Sequence, residues 1–181
     1  MRRLGTGMAI LALLLGLLGG SSQAQAQCTA SGAPDSCGVP GSVSMTAGRV
    51  VRLQMSAGST ALTPPTTAHF DAGFNTTTGP TFTVSANAAW TLQVRASSGI
   101  WTATNTTPGA PARTNKPAGD LQWSTASNGA FTALTIGDVT LFSGAVTASN
   151  ATTLYFRTLY DWALDTPGSY SLSLVLTLTA P

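Results

Sequence analysis

His69 is the single histidine of the chain, and Asp71 stands two residues beyond it. If that segment is extended, both side chains project to one face. A carboxylate beside an imidazole is the arrangement that general acid–base catalysis uses. The rest of such a machine is missing. No G-x-S-x-G turn supplies a nucleophile. Glu is absent, so a two-carboxylate hydrolytic site would have to pair two of Asp35, Asp71, Asp120, Asp138, Asp161 and Asp165. All six lie in or beside turn-like sequence, where Asp commonly caps and turns the backbone. Asp161 and Asp165 are close enough to share a calcium ion, but the EF-hand pattern is absent. The expectation is therefore no catalytic residue, no metal site and no cofactor.

The aromatic residues offer a different chemistry. Trp90, Trp101, Trp123 and Trp162 are the four tryptophans. Their ring faces are suited to stacking on a sugar or peptidoglycan ligand. Trp90 falls in an alternating strand and reads as core. Trp101, Trp123 and Trp162 lie nearer turns and are candidate ligand contacts. Cys28 and Cys37 are the two cysteines. In an exported chain such a pair is expected to form a disulfide. The closed loop would stabilise the N-terminal arm by about 2.5–3 kcal/mol. Asn75, Asn105 and Asn150 each begin an N-x-Thr acceptor triplet, which matters only in a host that glycosylates exported proteins.

Export is read from the first residues. Arg2 and Arg3 precede the apolar run Met8–Leu18, and Ala24-Gln25-Ala26 forms a small-residue cleavage site. Residues 1–26 are thus predicted to be a signal peptide, with Gln27 as the mature start. The run is short for a transmembrane span, so none is expected in the mature chain. Cys28 directly after the site raises a lipoprotein alternative, but bulky Gln27 stands where a lipid signal wants a small residue. Removing Arg2 and Arg3 leaves Arg49, Arg52, Arg95, Arg113, Lys116 and Arg157 against the six Asp. That near-neutral balance gives no electrostatic case for nucleic acid.

The elements that must position these groups read as strands. The chain holds 29 Thr and 18 Ser against one Lys and no Glu. Thr packs well on pleated surfaces and is restricted in helices. Alternation marks strands at 49–55, 81–85 and 90–94, and 154–159 reads as another strand. A short strand is expected within 69–74, and one helical turn is allowed at 160–165. Residues 102–119 read as a long solvated loop. Asn128-Gly129 predicts a type I′ hairpin between 121–125 and 131–136, and Gly137-Asp138 a type II′ turn into 139–142. Thr166-Pro167-Gly168 predicts a type II turn with positive φ at the glycine. Tyr170, Leu172, Leu174, Leu176 and Leu178 then share one strand face. Burying them would contribute, gross, on the order of 8–15 kcal/mol, which predicts a strand central to the core. The expected architecture is all-β: one antiparallel β-sandwich, immunoglobulin-like or jelly-roll-like, over 49–181, preceded by an irregular arm over 27–48.

Asn87-Ala88-Ala89-Trp90-Thr91-Leu92-Gln93-Val94 carries a W-x-L triplet, and the C-terminus runs from Pro167-Gly168-Ser169-Tyr170 to Leu176-Thr177-Leu178-Thr179-Ala180-Pro181. These segments resemble the WxL-domain proteins of Gram-positive bacterial surfaces, although Leu176 stands where the family's second triplet has Trp. The resemblance implies a β-rich domain held noncovalently to the cell wall. It adds Trp90 and Leu92 to the candidate wall contacts. The functional expectation is a secreted, extracellular or cell-surface structural or adhesive module, not an enzyme. Its expected partners are cell-wall polysaccharide, peptidoglycan or other surface proteins. A polymerising fimbrial or surface-layer subunit is the alternative: the arm could donate a strand, although it offers only Val39, Val43 and Met45 as large apolar residues. A secreted enzyme or inhibitor is the third reading.

Overall fold

The computed structural model describes residues 37–38, 41–108 and 110–181. The predicted leader 1–26, the start at Gln27 and Cys28 lie outside the described residues, and with them the Cys28–Cys37 pairing. The chain divides into two units, residues 1–46 and 47–181. Within the first, residues 41–46 have no regular structure, and Val43 and Met45 stand almost wholly in solvent.

The second unit is all-β and antiparallel. Its strands are β1 (Val51–Met55), β2 (Phe74–Ala86), β3 (Trp90–Ala96), β4 (Thr102–Thr104), β5 (Leu121–Ser124), β6 (Thr132–Ala133), β7 (Val139–Gly144), β8 (Thr147–Leu159), β9 (Ser169–Ser171) and β10 (Leu174–Thr179). A five-stranded sheet runs β1-β2-β8-β5-β6, a three-stranded sheet β10-β3-β7, and β4 pairs with β9. Period-two patterning explains the core. In β3, Trp90, Leu92, Val94 and Ala96 are buried while Thr91, Gln93 and Arg95 are half-exposed. Phe82, Val84, Leu154 and Phe156 face the same core from the larger sheet.

The two long strands exceed their alternating cores. In β2, one extra residue is accommodated between Thr78 and Thr81, where Gly79-Pro80 breaks the register with β8. Pro80 has no N–H for a ladder, so a bulge suits it. A Cβ on Gly79 would stand 2.5 Å from the Phe156 ring, so only glycine admits that ring.

Several expectations are corrected. The strand expected within 69–74 gives way to the helix α1 (Thr67–Ala72), stopped by Gly73 at φ 76°. Gly73 is left-handed, a conformation glycine takes without a Cβ penalty. The final strand is divided into β9 and β10; β10 lies at the edge of its sheet, and its leucines pack against the core only partly buried. Its leucines face inward opposite Leu92, Val94 and Ala96 yet stay half-exposed. Alternation identifies a strand's buried face but not its place in a sheet.

The turns differ too. β5 pairs with β6, but the Gly129 N–H donates to Ala126 O, placing Ser127-Asn128 at the turn centre. β7 joins β3 in the other sheet, so 137–138 carries a crossing between sheets instead of a hairpin. Gly168 does not take positive φ. A Cβ there would lie 2.5 Å from the Ala112 Cβ, so close approach explains the glycine. The 160–165 turn is present, closed by the Asp165 N–H donating to Asp161 O at 2.9 Å.

Candidate functional site

The segment 102–119 is solvated only in part: residues 104–108 are exposed, but its second half is anchored. Ala112, Lys116 and Ala118 are buried, and Ile100 bridges Pro117. β4 anchors its start by pairing with β9. Lys116 anchors its end. The Lys116 side chain is 3% exposed, and its ammonium donates to Asp165 Oδ1 at 2.9 Å, Asp120 Oδ2 at 3.2 Å and Leu159 O at 2.8 Å. An ammonium has three protons, and three acceptors surround this one. Arg113 adds a second cation, donating to Asp165 Oδ1 at 3.0 Å and Asp120 Oδ2 at 3.3 Å. The Arg113 backbone N–H donates to Tyr170 Oη, which donates to Thr166 O at 2.6 Å.

Burial by itself raises the Asp165 pKa. The hydrogen bonds from Lys116 and Arg113 and the Lys116 charge overcome that and hold it below the ordinary 3.8. A depressed carboxyl stabilises the fold above its unfolded pKa, and that contribution is lost as pH falls through the folded value. Asp165→Asn is therefore expected to melt below wild type at neutral pH, with the gap closing once pH drops below about 4. Thermal melts of both proteins from neutral to strongly acid pH check this; a constant gap would show the carboxylate charge to be unimportant.

Above this cluster lies a cleft of about 720 Å³. Pro64, Pro65, Phe70, Tyr160 and Trp162 supply much of its apolar lining, and Lys116 and Asp165 also border it. The helix α1 brings Phe70 to the site, and β8 delivers Tyr160 just past its end. Phe70 packs against Tyr160 at 5.3 Å and against Trp162 at 4.6 Å between ring centroids. The Lys116 ammonium stands 5.5 Å from the Tyr160 ring centroid. Burial, its largest cause, raises the Tyr160 pKa, so the phenol stays protonated at neutral pH. Trp162 is 61% exposed, and its Nε1–H donates to Asp71 Oδ1 at 3.2 Å. A cleft with ring faces and a few hydroxyls can take a ligand having both apolar C–H faces and polar substituents.

No protein-family model matches this chain, and no curated protein matches its sequence.

The sequence-predicted contacts separate in space. Trp90, Leu92, Trp101 and Trp123 are buried. The Trp90 Nε1–H donates to Ala145 O, and the Trp101 Nε1–H to Pro117 O. The buried Trp123 Nε1 has no hydrogen-bond partner among the described residues. Trp101 borders the cleft from beneath; Trp162 is the predicted contact whose ring meets solvent.

His69 and Asp71 do not form a pair. The Thr66 N–H donates to His69 Nδ1 at 3.1 Å, capping α1, while Asp71 holds Trp162. Two positions apart on a helix, they do not share a face. Asp161 turns its carboxylate to the Ala163 and Leu164 N–H groups, and Asp165 faces two cations. Among the described residues no group of three or more His, Cys, Asp or Glu is placed to hold a metal. Sequence reading missed Phe70, Tyr160 and the Arg113–Lys116–Asp120–Asp165 cluster. The one local signal was the i,i+4 spacing of the chain's single lysine and Asp120.

A second cleft of about 540 Å³ opens beside β10. Met55, Leu62, Phe82, Leu172, Leu174 and Leu176 contribute to its lining.

Proposed function

We propose that this chain is an exported, non-enzymatic surface or extracellular module that adheres through the Phe70–Tyr160–Trp162 cleft. In this reading its two main sheets form a single antiparallel β-sandwich after a cleaved leader. The ligand class is a cell-wall glycan, either polysaccharide or peptidoglycan. The leader-like sequence of residues 1–26 supports export, and the likeness of 87–94 and 167–181 to WxL domains supports wall association. Trp162 carries the adhesive reading: a large ring, 61% exposed, held against Phe70 at the mouth of a cleft. Aromatic anchors of this kind dominate binding energies.

The test is cosedimentation of the purified protein with cell-wall sacculi. Wild type is expected to pellet with them. Trp162→Ala should bind about tenfold more weakly or worse, about 1.4 kcal/mol, while still folded at the temperature of the assay, which a melting curve checks. Wild-type protein left in the supernatant would refute wall binding. Undiminished pelleting of Trp162→Ala would refute the cleft.

A further inference from the structure

Most cations of the second unit meet an acceptor. Arg95 pairs with Asp138, Arg113 and Lys116 share Asp120 and Asp165, and Arg52 donates to Ser85 Oγ. Arg157 differs. Its guanidinium has no hydrogen bond or ion pair among the described residues, and its Nε is buried without a partner. The other carboxylates are engaged elsewhere: Asp71 accepts from Trp162, and Asp161 from the Ala163 and Leu164 N–H groups. A buried donor left unpaired is uncommon in native folds and calls for a role.

The guanidinium is nonetheless firmly placed. Its Cζ stands 4.5 Å from the Phe74 ring centroid and 4.0 Å from that of Phe131. β8 is an interior strand of the five-stranded sheet, so Phe74 arrives from β2 on one side and Phe131, just ahead of β6, from the other. Register sets Thr76 and Gln122 directly beside Arg157. Phe156 and Trp123, one position along, are buried in the core, so this row lies on the outer face of the sheet. Arg157 is half-exposed there, within reach of a ligand.

Stacked rings leave the donors of a planar guanidinium pointing outward in its plane, the geometry that meets a carboxylate with two parallel bonds. A cation already oriented loses less freedom on pairing. One unpaired arginine matches one carboxylate, whereas phosphate recognition gathers arginine clusters. The surroundings favour a sugar over a peptide. The backbone of β8 is paired on both sides, so no strand can add there. Phe74 is 38% exposed and offers a ring to sugar C–H groups, and the Gln122 amide and Thr76 hydroxyl can bond sugar hydroxyls.

We propose that Arg157, held by Phe74 and Phe131, binds the carboxylate of an acidic sugar, as in a uronate polysaccharide, on the outer face of the five-stranded sheet. The site does not rest on the Phe70–Tyr160–Trp162 cleft, which none of these three residues lines.

Isothermal titration of the purified protein with oligogalacturonate tests this. Wild type should bind the oligomer but not its methyl ester, in which the carboxylates are masked. Arg157→Gln should bind about tenfold more weakly or worse, the scale of a charged hydrogen bond. Arg157→Lys should recover little, because an ammonium lacks the planar fork. Trp162→Ala should bind as wild type does, which separates this site from the cleft. Melting curves establish that each variant is folded at the titration temperature. A wild type that fails to bind the oligomer, or binds the ester equally well, overturns the proposal. So does undiminished binding by Arg157→Gln. Equal affinity for poly-aspartate also overturns it, and would assign the arginine to an acidic protein partner.

Discussion

Lys116→Met is expected to destabilise the protein by about 3–5 kcal/mol, the usual cost of removing one member of a buried ion pair. Methionine fills similar space but donates nothing. Asp165 would keep a single cation partner, Arg113, for a carboxylate whose side chain is only 6% exposed. Leu159 O would lose a charged donor at 2.8 Å. Domains of this size are stabilised by about 5–15 kcal/mol in total, so the loss is a large fraction. Urea unfolding measures it. Lys116→Met/Asp165→Asn should recover part of the loss, because removing the stranded charge is less costly than leaving it, and Arg113 still meets Asp120 at 3.3 Å. If the single variant costs under about 1 kcal/mol, the cluster behaves as an exposed surface pair.

The functional consequence follows from what Lys116 joins. One ammonium ties residues 102–119 to the end of β8 through Leu159 and to the 160–165 turn through Asp165. Tyr160 and Trp162 sit between those two attachment points. Hydrogen exchange in Lys116→Met should therefore rise at 102–119 and 160–166 before it rises in β3. The pelleting with sacculi proposed for the cleft should weaken although Lys116 is not the stacking residue. Local stability of the turn and pre-ordering of the cleft are the same quantity measured two ways.

How far this site was legible depends on distance along the chain. The all-β class was readable because alternation is local: β1 and β3 each show their faces within five to seven residues. The charge cluster was not. Arg113 and Lys116 lie in a stretch of Thr, Asn, Pro and Ala with no large apolar residue, which imitates solvated loop. Their partner Asp165 is 49 residues beyond Lys116, and only the folded sheets bring it near. α1 is six residues long with one large apolar side chain, too short to display a 3.6 period. Phe70 therefore gave no sign that it would meet Trp162. The edge position of β10 was hidden for another reason: its leucines alternate as a central strand's would, and only the absence of a neighbour separates the two cases.

Trp90→Ala is expected to cost about 3–5 kcal/mol, by loss of burial together with the cavity left behind. Trp90 is 2% exposed, meets Phe142 edge-on at 5.4 Å, and donates from Nε1 to Ala145 O at 2.8 Å. Gly144 lies against its ring, and a Cβ there would come within 2.7 Å of Cζ2. That contact permits a sharper test than truncation alone. Gly144→Ala in wild type should cost about 1–3 kcal/mol, because the indole is hemmed in and cannot yield. In a Trp90→Phe background the six-membered part of the indole is gone, and the same alanine should cost far less. The coupling between the two changes should reach about 1 kcal/mol or more, as for residues in direct contact. Equilibrium unfolding of the four proteins gives the cycle; additive costs would mean that the ring does not pack on Gly144. The outcome also decides between two meanings of the W-x-L triplet. If Trp90 and Leu92 are core, Trp90→Phe lowers stability while folded protein still pellets with sacculi. A wall contact through that triplet would instead show lost pelleting at unchanged stability, which a ring 2% exposed cannot deliver without unfolding β3 from its sheet.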